Sequence, residues 1–400
     1  MTAHSPTSAP DRDAALHEGL ARFPASVFQF DQRMASGWLS DRYFVRTSAT
    51  LQHAGLDPRV TLQVFAKKGG VLAGVYEGLR LLQTQLGNSC DPGEITVDTL
   101  LEGDLINEAG SDAWETVMHI TGPYRVFGHL ETPLLGVLAR RSLVASNTRA
   151  VVEAAAGKPV IFMAPRHDDW RVQTPDGYAA QVGGAMSVSS DAAGAWWGQR
   201  GVGTMPHAMI ATFGGDTVAA TLAFARYLRE HEPDVQVMSL VDYENNAVRT
   251  SLEVARAMEA EFGPGSLGAV RVDTSERLID DSLIGDPEVW GRATLTGVNA
   301  ALVRKMRAAL DAEGFTSVGI VVSGGFKPAK IKQFETQGVP AAAYGVGSSL
   351  LGHSDGTGGL LSDFDFTADV VRLEGKEAGK VGRSFRPNPR LVRVDWSRAG

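Results

Sequence analysis

Apolar runs and turn residues divide the 400-residue chain into three textures. Near the N-terminus, Trp38, Leu39, Tyr43, Phe44 and Leu51 recur at about helical spacing, which predicts a helix within SGWLSDRYFVRTSATLQHAG. In RVTLQVFAKK, Val60, Leu62 and Val64 alternate with Thr61 and Gln63, the period of a strand. GGVLAGVYEGLRLLQTQLG predicts a turn and a helix. ITVDTLLEGDLINEAGSDAWETVMHITGPY is rich in β-branched residues, with turn signals at EGD and EAGSD, and predicts short antiparallel strands. HLETPLLGVLARRSLVASNTRAVVEAAAG predicts a long helix, with Pro133 near its start and Gly157 at its end.

After Gly157 short β-rich runs alternate with helical ones. PVIFMA, VQVMSLVD, LGAVRVD, SVGIVVSGG and AAAYGVGSSL predict strands. DGYAAQVGGAMSV, NAVRTSLEVARAMEAEFG, GVNAALVRKMRAALDAEG and PAKIKQFETQG predict helices. Such alternation indicates a parallel sheet with crossover helices. The tail changes again: SDFDFTADVVRLEG and EAGKVGRSFRPNPRLVRVD predict hairpin strands that return to the first domain. The expected fold is α/β, an irregular (β/α) barrel with an N-terminal α+β sandwich domain completed by the C-terminal tail. The expected division is a disordered lead at 1–22, an α+β domain at 23–130, the barrel at 131–350 and a returning segment at 351–400.

Composition narrows the class. A chain of 400 residues exceeds what one core usually holds, consistent with two domains. It is 44% hydrophobic and 21% charged, ordinary for a globular protein, with a net charge of −8. That charge disfavours a general nucleic-acid or anionic-membrane surface, so any phosphate ligand must be held by a local site. Cys90 is the single cysteine, which excludes an intrachain disulfide and any Cys-rich zinc site. No apolar run approaches a membrane span, and MTAHSPTSAPDRDAALHEG has no apolar signal core. The expected location is the cytoplasm.

In parallel α/β folds, reactive residues lie at the carboxyl ends of strands. That rule selects Arg166 and His167 after PVIFMA, Asp242 after MSLVD, and Arg271 and Asp273 in AVRVD. It also selects Ser323, Gly324 and Gly325 after GIVV, and Gly345, Gly347 and Ser348 in YGVGSS. The last two groups are successive strands ending in Gly/Ser turns, whose backbone N–H groups suit an anion, although such glycines also make plain tight turns. Asp242 and Asp273 suit a sugar hydroxyl or a hydrated Mg²⁺, or the N-cap of the following helix. Arg166 and Arg271 suit charge-assisted phosphate contacts. In GVGTMPHAMIATFGGDT, Thr204 suits a helix cap and Pro206 a first turn, which places His207 near the strand ends. His207 is either a core histidine or one presented to a ligand.

These residues, in this order, resemble the type II phosphoribosyltransferases, and within them the nicotinate enzymes. SDRYFVRT, GGVLAG, EGDLINEAG…ITGPY…LETPLLGVLARRSLVASNT, GTMPHAMI, RVDTSE, SGG and YGVGSSL carry the resemblance over about residues 30–390. It implies transfer of a phosphoribosyl group from 5-phosphoribosyl 1-diphosphate to nicotinate in NAD salvage, with Mg²⁺ neutralising the diphosphate. It implies Ser323, Gly324, Gly325, Gly347 and Ser348 on the 5-phosphate, Asp273 at the ribose, and Arg166 and Arg271 on phosphates. Phe162, with Tyr43 of a neighbouring subunit, would sandwich the pyridine ring in a dimer or larger assembly. His207, Asp273 and Arg271 form the expected catalytic set. His207 would be phosphorylated by ATP acting as co-substrate.

The chain also departs from the pattern. FMAPRH stands where many relatives have Phe-Gly-x-Arg-Arg, and Thr274 replaces the usual Ser. Asp168 and Asp169 oppose a second substrate carboxylate, which favours one carboxylate or an amide. A quinolinate or nicotinamide transferase, and a non-catalytic module that binds a phosphometabolite, remain the competing readings.

Overall fold

The computed structural model describes residues 11–87, 91–107, 114–291, 294–353 and 359–398. Cys90 and the expected EAGSD turn lie outside them. The chain forms two compact units, residues 1–146 with 363–400, and residues 147–362.

The first unit opens with helix α1 (Arg12–Arg22), where a disordered lead to residue 22 was expected. The Ser/Pro-rich approach obscures Leu16 and Leu20, which lie one helical turn apart and are both fully buried. Asp11 caps the helix by accepting from the N–H groups of Asp13 and Ala14. At the other end the buried Arg80 guanidinium donates to the carbonyls of Leu20 and Phe23, at 2.6 and 2.7 Å. Then come α2 (Arg42–His53), β1 (Arg59–Ala66), β2 (Gly70–Val71) and α3 (Val75–Thr84). Strands β3 (Thr96–Thr99), β4 (Leu105–Ile106) and β5 (Glu115–Pro123) follow, then α4 (Tyr124–Phe127) and the long α5 (Glu131–Ala154). β1 is buried on both faces rather than alternately, because it lies inside the sheet and its polar face is covered. The tail does this: the Phe385 ring stacks on His119 at 4.7 Å, and Gln63 accepts from the Arg386 N–H at 2.8 Å.

The unit boundary falls later than residue 130. Ser142 and Ser146 on α5 accept hydrogen bonds from the N–H groups of Ala73 and Val71, at 3.0 and 2.9 Å. These bonds tie the first part of the helix to the first unit.

One acidic residue of the EGD turn organises α3. Glu102 accepts from the N–H groups of Gly74, Val75 and Tyr76 at 2.8, 2.7 and 3.2 Å. Burial pushes its carboxyl up to about 7, against the pull of those three donors. The folded value lies above the unfolded one, so its contribution is present in acid and is lost as pH rises through about 7. We expect denaturation midpoints to fall between pH 5 and 8, by about 2–3 kcal/mol in unfolding free energy from this group. Glu102→Gln should flatten that part of the profile. An unchanged slope would contradict the assignment.

The second unit is built on a parallel sheet. Its strands are β6 (Val160–Phe162), β7 (Ser187–Val188), β8 (Val237–Leu240), β9 (Leu267–Val272), β10 (Gly319–Val322) and β11 (Ala343–Val346). Their order is β7-β6-β11-β10-β9-β8, the sheet of an open, barrel-like α/β fold. The helices are α6 (Gln173–Val182), α7 (Asp191–Gly194), α8 (His207–Thr212), α9 (Thr217–His231), α10 (Ala247–Phe262), α11 (Ala300–Ala312) and α12 (Pro328–Thr336). The run DGYAAQVGGAMSV is not one helix: α6 stops at Val182, and Ser187 and Val188 form β7 against β6.

Residues 351–353 and 359–362 belong to this unit rather than to the returning tail. Leu351 and Leu360 are buried, and Asn147 holds the Leu361 backbone through its side-chain amide. From Asp363 the chain is part of the first unit, where β12 (Phe366–Leu373), β13 (Lys376–Glu377) and β14 (Val392–Arg393) complete the antiparallel order β13-β12-β1-β5-β3-β14. The tail thus completes the N-terminal sandwich, as the pattern of the sequence predicts.

Candidate active site

A cleft of about 720 Å³ opens at the carboxyl ends of the second unit's strands. Its lining unites Arg166 and His167 after β6, Thr204 and His207 of the GTMPH segment, Arg271 and Asp273 of β9, and both Gly/Ser loops. Ser323, Gly324 and Gly325 follow β10, while Gly345, Gly347 and Ser348 end β11. Gly324 and Gly325 take φ values of +86° and +67°, which a side-chain-bearing residue rarely adopts. That turn brings backbone close to Asp273: a Cβ at Gly324 would lie 2.9 Å from the Asp273 carboxylate. Ser323 is buried and donates its N–H to the Val272 carbonyl at 3.1 Å.

Arg271 is the buried cation of the cleft. It donates to the Thr204 hydroxyl at 2.5 Å, while its Nε has no partner. Burial lowers its pKa, partly offset by Asp273 and Asp242. A desolvated guanidinium that lines the cleft suits a charge-assisted contact with an anion. Thr204 therefore serves Arg271 rather than capping a helix. Pro206 is the N-cap of α8 and provides no side-chain hydrogen bond.

His207 is the first residue of α8, and its side chain is 47% exposed, so it is not a core histidine. Its Nε2 lies 3.2 Å from Asp242 Oδ1. The Asp242 side chain is only 4% exposed and does not line the cleft. It stands behind the histidine instead of facing a substrate, and Asn246 rather than Asp242 caps α10. Burial raises the Asp242 pKa, with His207 pulling it down and the Asp273 charge pushing it up. A carboxylate holding Nε2–H fixes the imidazole tautomer and leaves Nδ1 as the nucleophilic nitrogen. The Gly214-Gly215-Asp216 run ends in a cap: Asp216 accepts from the Ala219 N–H at 2.8 Å and starts α9.

One expected ring contact is corrected. Phe162 is 1% exposed and absent from the cleft wall. Ile161 and Met163 share the face that packs on Ala269, Val321 and Ala343, so strand alternation turns Phe162 away. Met163 lines the cleft in its place. Tyr43 belongs to the first unit, on α2, where it is 61% exposed and donates to Asp41 at 3.1 Å. Lys327 and His353 also line the cleft and were missed. Lys327 stands two residues beyond the Ser-Gly-Gly turn, the signal that would have found it.

The cleft is rich in Arg, Lys and His, although the chain carries a net charge of −8. The cleft thus differs in charge character from the chain as a whole. Among the described residues no group of three or more His, Cys, Asp or Glu could hold a metal by itself. Also among them, no helix is long and apolar enough to cross a membrane.

Comparison with known proteins gives consistent relatives. Residues 41–142 match the model of the quinolinate phosphoribosyl transferase N-terminal domain. A nicotinate phosphoribosyltransferase of Mycobacterium tuberculosis is 27% identical over 384 residues, spanning 90% of this chain and 77% of that protein. The human nicotinate phosphoribosyltransferase is 34% identical over 134 residues, covering 32% and 23%. Among solved structures, a nicotinate-nucleotide pyrophosphorylase from Pyrococcus furiosus superposes with a TM-score of 0.72 at 28% identity, covering 92% of this chain and 85% of that one. The human nicotinic acid phosphoribosyltransferase shares the fold, with a TM-score of 0.60 at 18% identity over 86% and 77% of the chains.

Proposed function

We propose that this chain, a homologue of the nicotinate phosphoribosyltransferases by sequence and fold, is itself one. It would join nicotinate to 5-phosphoribosyl 1-diphosphate, giving nicotinate mononucleotide and diphosphate in NAD salvage. The observation that carries this reading is the convergence of Arg271 and Asp273 with two Gly/Ser loops and His207 in one cleft. The pyridine nitrogen lone pair forms the new bond to ribose C1, and the C1–O bond breaks with its electrons leaving on diphosphate. Charge develops at both ends of that displacement. Arg271 and Arg166 stabilise the departing diphosphate, Asp273 faces the ribose hydroxyls and the developing positive ring, and the loops fix the 5-phosphate.

Mg²⁺ fits this donor set. Asp273 offers hard carboxylate oxygens beside the buried Asp242, whose pKa its charge raises, and such an ion keeps water and substrate phosphates as its other ligands. When bound it would supply charge neutralisation for diphosphate.

ATP enters as a second substrate through His207. Nδ1 attacks the γ-phosphorus and ADP leaves, while Asp242 stabilises the charge that develops on the ring by holding Nε2–H. Hydrolysis of the phosphohistidine returns the imidazole and releases phosphate. An assembly of two or more copies is part of the same proposal. Helix α2 buries none of its residues within this chain, and Trp38 and Leu39 beside it are exposed like Tyr43.

The test is a substrate panel with purified protein, Mg²⁺ and 5-phosphoribosyl 1-diphosphate. Nicotinate should yield its mononucleotide, with or without ATP. Release of carbon dioxide from quinolinate would instead identify the decarboxylating transferase, and preference for nicotinamide the amide enzyme. Binding of the phosphorylated donor with no product from any pyridine would leave the non-catalytic module.

A further inference from the structure

With Phe162 turned into the layer behind the sheet, the cleft's apolar contact at the end of β6 comes from the next residue. Met163 is half-buried, its N–H donates to the Val346 carbonyl at 2.7 Å, and it packs on the cluster of Ile161, Ala269, Val321 and Ala343. Its thioether lies across β11 at Gly345. A Cβ there would sit 2.6 Å from the Met163 sulfur, 3.0 Å from its methyl carbon and 3.2 Å from Ser323 Cβ. With glycine at 345 the thioether rests directly against the β11 backbone. Met163 thus forms the apolar floor of the cleft, between the barrel core beneath and the polar groups of its own turn, Arg166 and His167.

We infer that Met163 is a specificity-determining residue, whose thioether forms the floor under the aromatic ring and limits the substituents that ring carries. The inference rests on the reading of the chain as a pyridine phosphoribosyltransferase. Two physical properties suit the role. A thioether is polarisable and makes favourable contacts with aromatic rings. The Gly345 backbone and Ser323 stand behind the thioether, so close packing leaves it little space on the side of the sheet. Added ring bulk therefore meets Met163 rather than displacing it. The effect of one extra methyl in such a contact is about 10–200-fold in relative kcat/KM.

The test compares kcat/KM for nicotinate and for 2-, 5- and 6-methylnicotinate in the wild type, Met163→Gly and Met163→Leu. The glycine variant should improve at least one methyl isomer relative to nicotinate by about tenfold or more. The leucine variant, close in volume, should keep the wild-type ranking. Ratios between substrates are used because a general loss of stability lowers all rates together. Binding of the same four acids, measured by calorimetry, covers a glycine variant that folds but turns over too slowly. A glycine variant with unchanged ratios in rate and binding overturns the inference and leaves the functional reading intact; where the glycine variant does not fold, Met163→Ala is read by the same ratios with the same two outcomes. A wild-type protein that turns over no pyridine acid removes the functional reading and this inference with it.

Discussion

Replacing Arg271 by alanine is expected to lower kcat/KM by about 10²–10³-fold, the effect of removing one preorganised donor aimed at developing charge. Arg271 is buried, holds Thr204 with one N–H, and has an unpartnered Nε. Its burial cost is offset in the free protein only by Asp273 and Asp242, so an incoming phosphate or diphosphate gains a strong, desolvated partner. Arg271→Lys should recover only part of the loss, because an ammonium cannot reproduce the fork that reaches both Thr204 and a ligand. Steady-state kinetics with varied 5-phosphoribosyl 1-diphosphate read the effect. A near-wild-type lysine variant would show that Arg271 contributes charge alone, and a near-wild-type alanine variant would remove it from the site.

The second large effect concerns ATP. His207→Ala should abolish the ATP-dependent increase in rate and all acid-labile incorporation of γ-phosphate, while a slow ATP-independent transfer remains. Asp242→Asn should keep the imidazole in place but slow phosphohistidine formation by about tenfold or more, since the amide no longer stabilises the charged ring. The two variants together separate the roles. In the proposed mechanism His207 would take the phosphoryl group, whereas Asp242, behind it and nearly buried, would act through His207. Equal loss of fold and of both activities in His207→Ala would return this residue to a structural role, against its half-exposed side chain.

Much of this site was legible because strand ends are easy to find. Arg166, His167, Arg271, Asp273 and the two Gly/Ser turns all follow short apolar runs, and the parallel fold places such positions in one cleft. What failed depended on direction or on distant partners. PVIFMA shows a strand but not which side of the sheet receives Phe162, so the neighbour that lines the cleft was missed. Thr204 precedes a helix and reads as a cap, yet Arg271, remote in sequence, takes its hydroxyl. Asp242 looks like a ligand in sequence, and only the packing shows His207 in front of it. In the fold, Leu16 and Leu20 were too sparse a signal within a Ser/Pro-rich start, and α1 also needs Arg80 and Asp104 from elsewhere in the chain. The alternation in β1 was real, but on its polar face Gln63 pairs with His119 of β5 beneath the C-terminal tail, a cover no local pattern reveals.

The central claim is the identity of the reaction. The most direct measurement incubates purified protein with nicotinate, 5-phosphoribosyl 1-diphosphate and Mg²⁺, and quantifies nicotinate mononucleotide and diphosphate. The account predicts that both appear in equal amounts and that added ATP increases the rate. Absence of the mononucleotide while the phosphorylated donor still binds would contradict it.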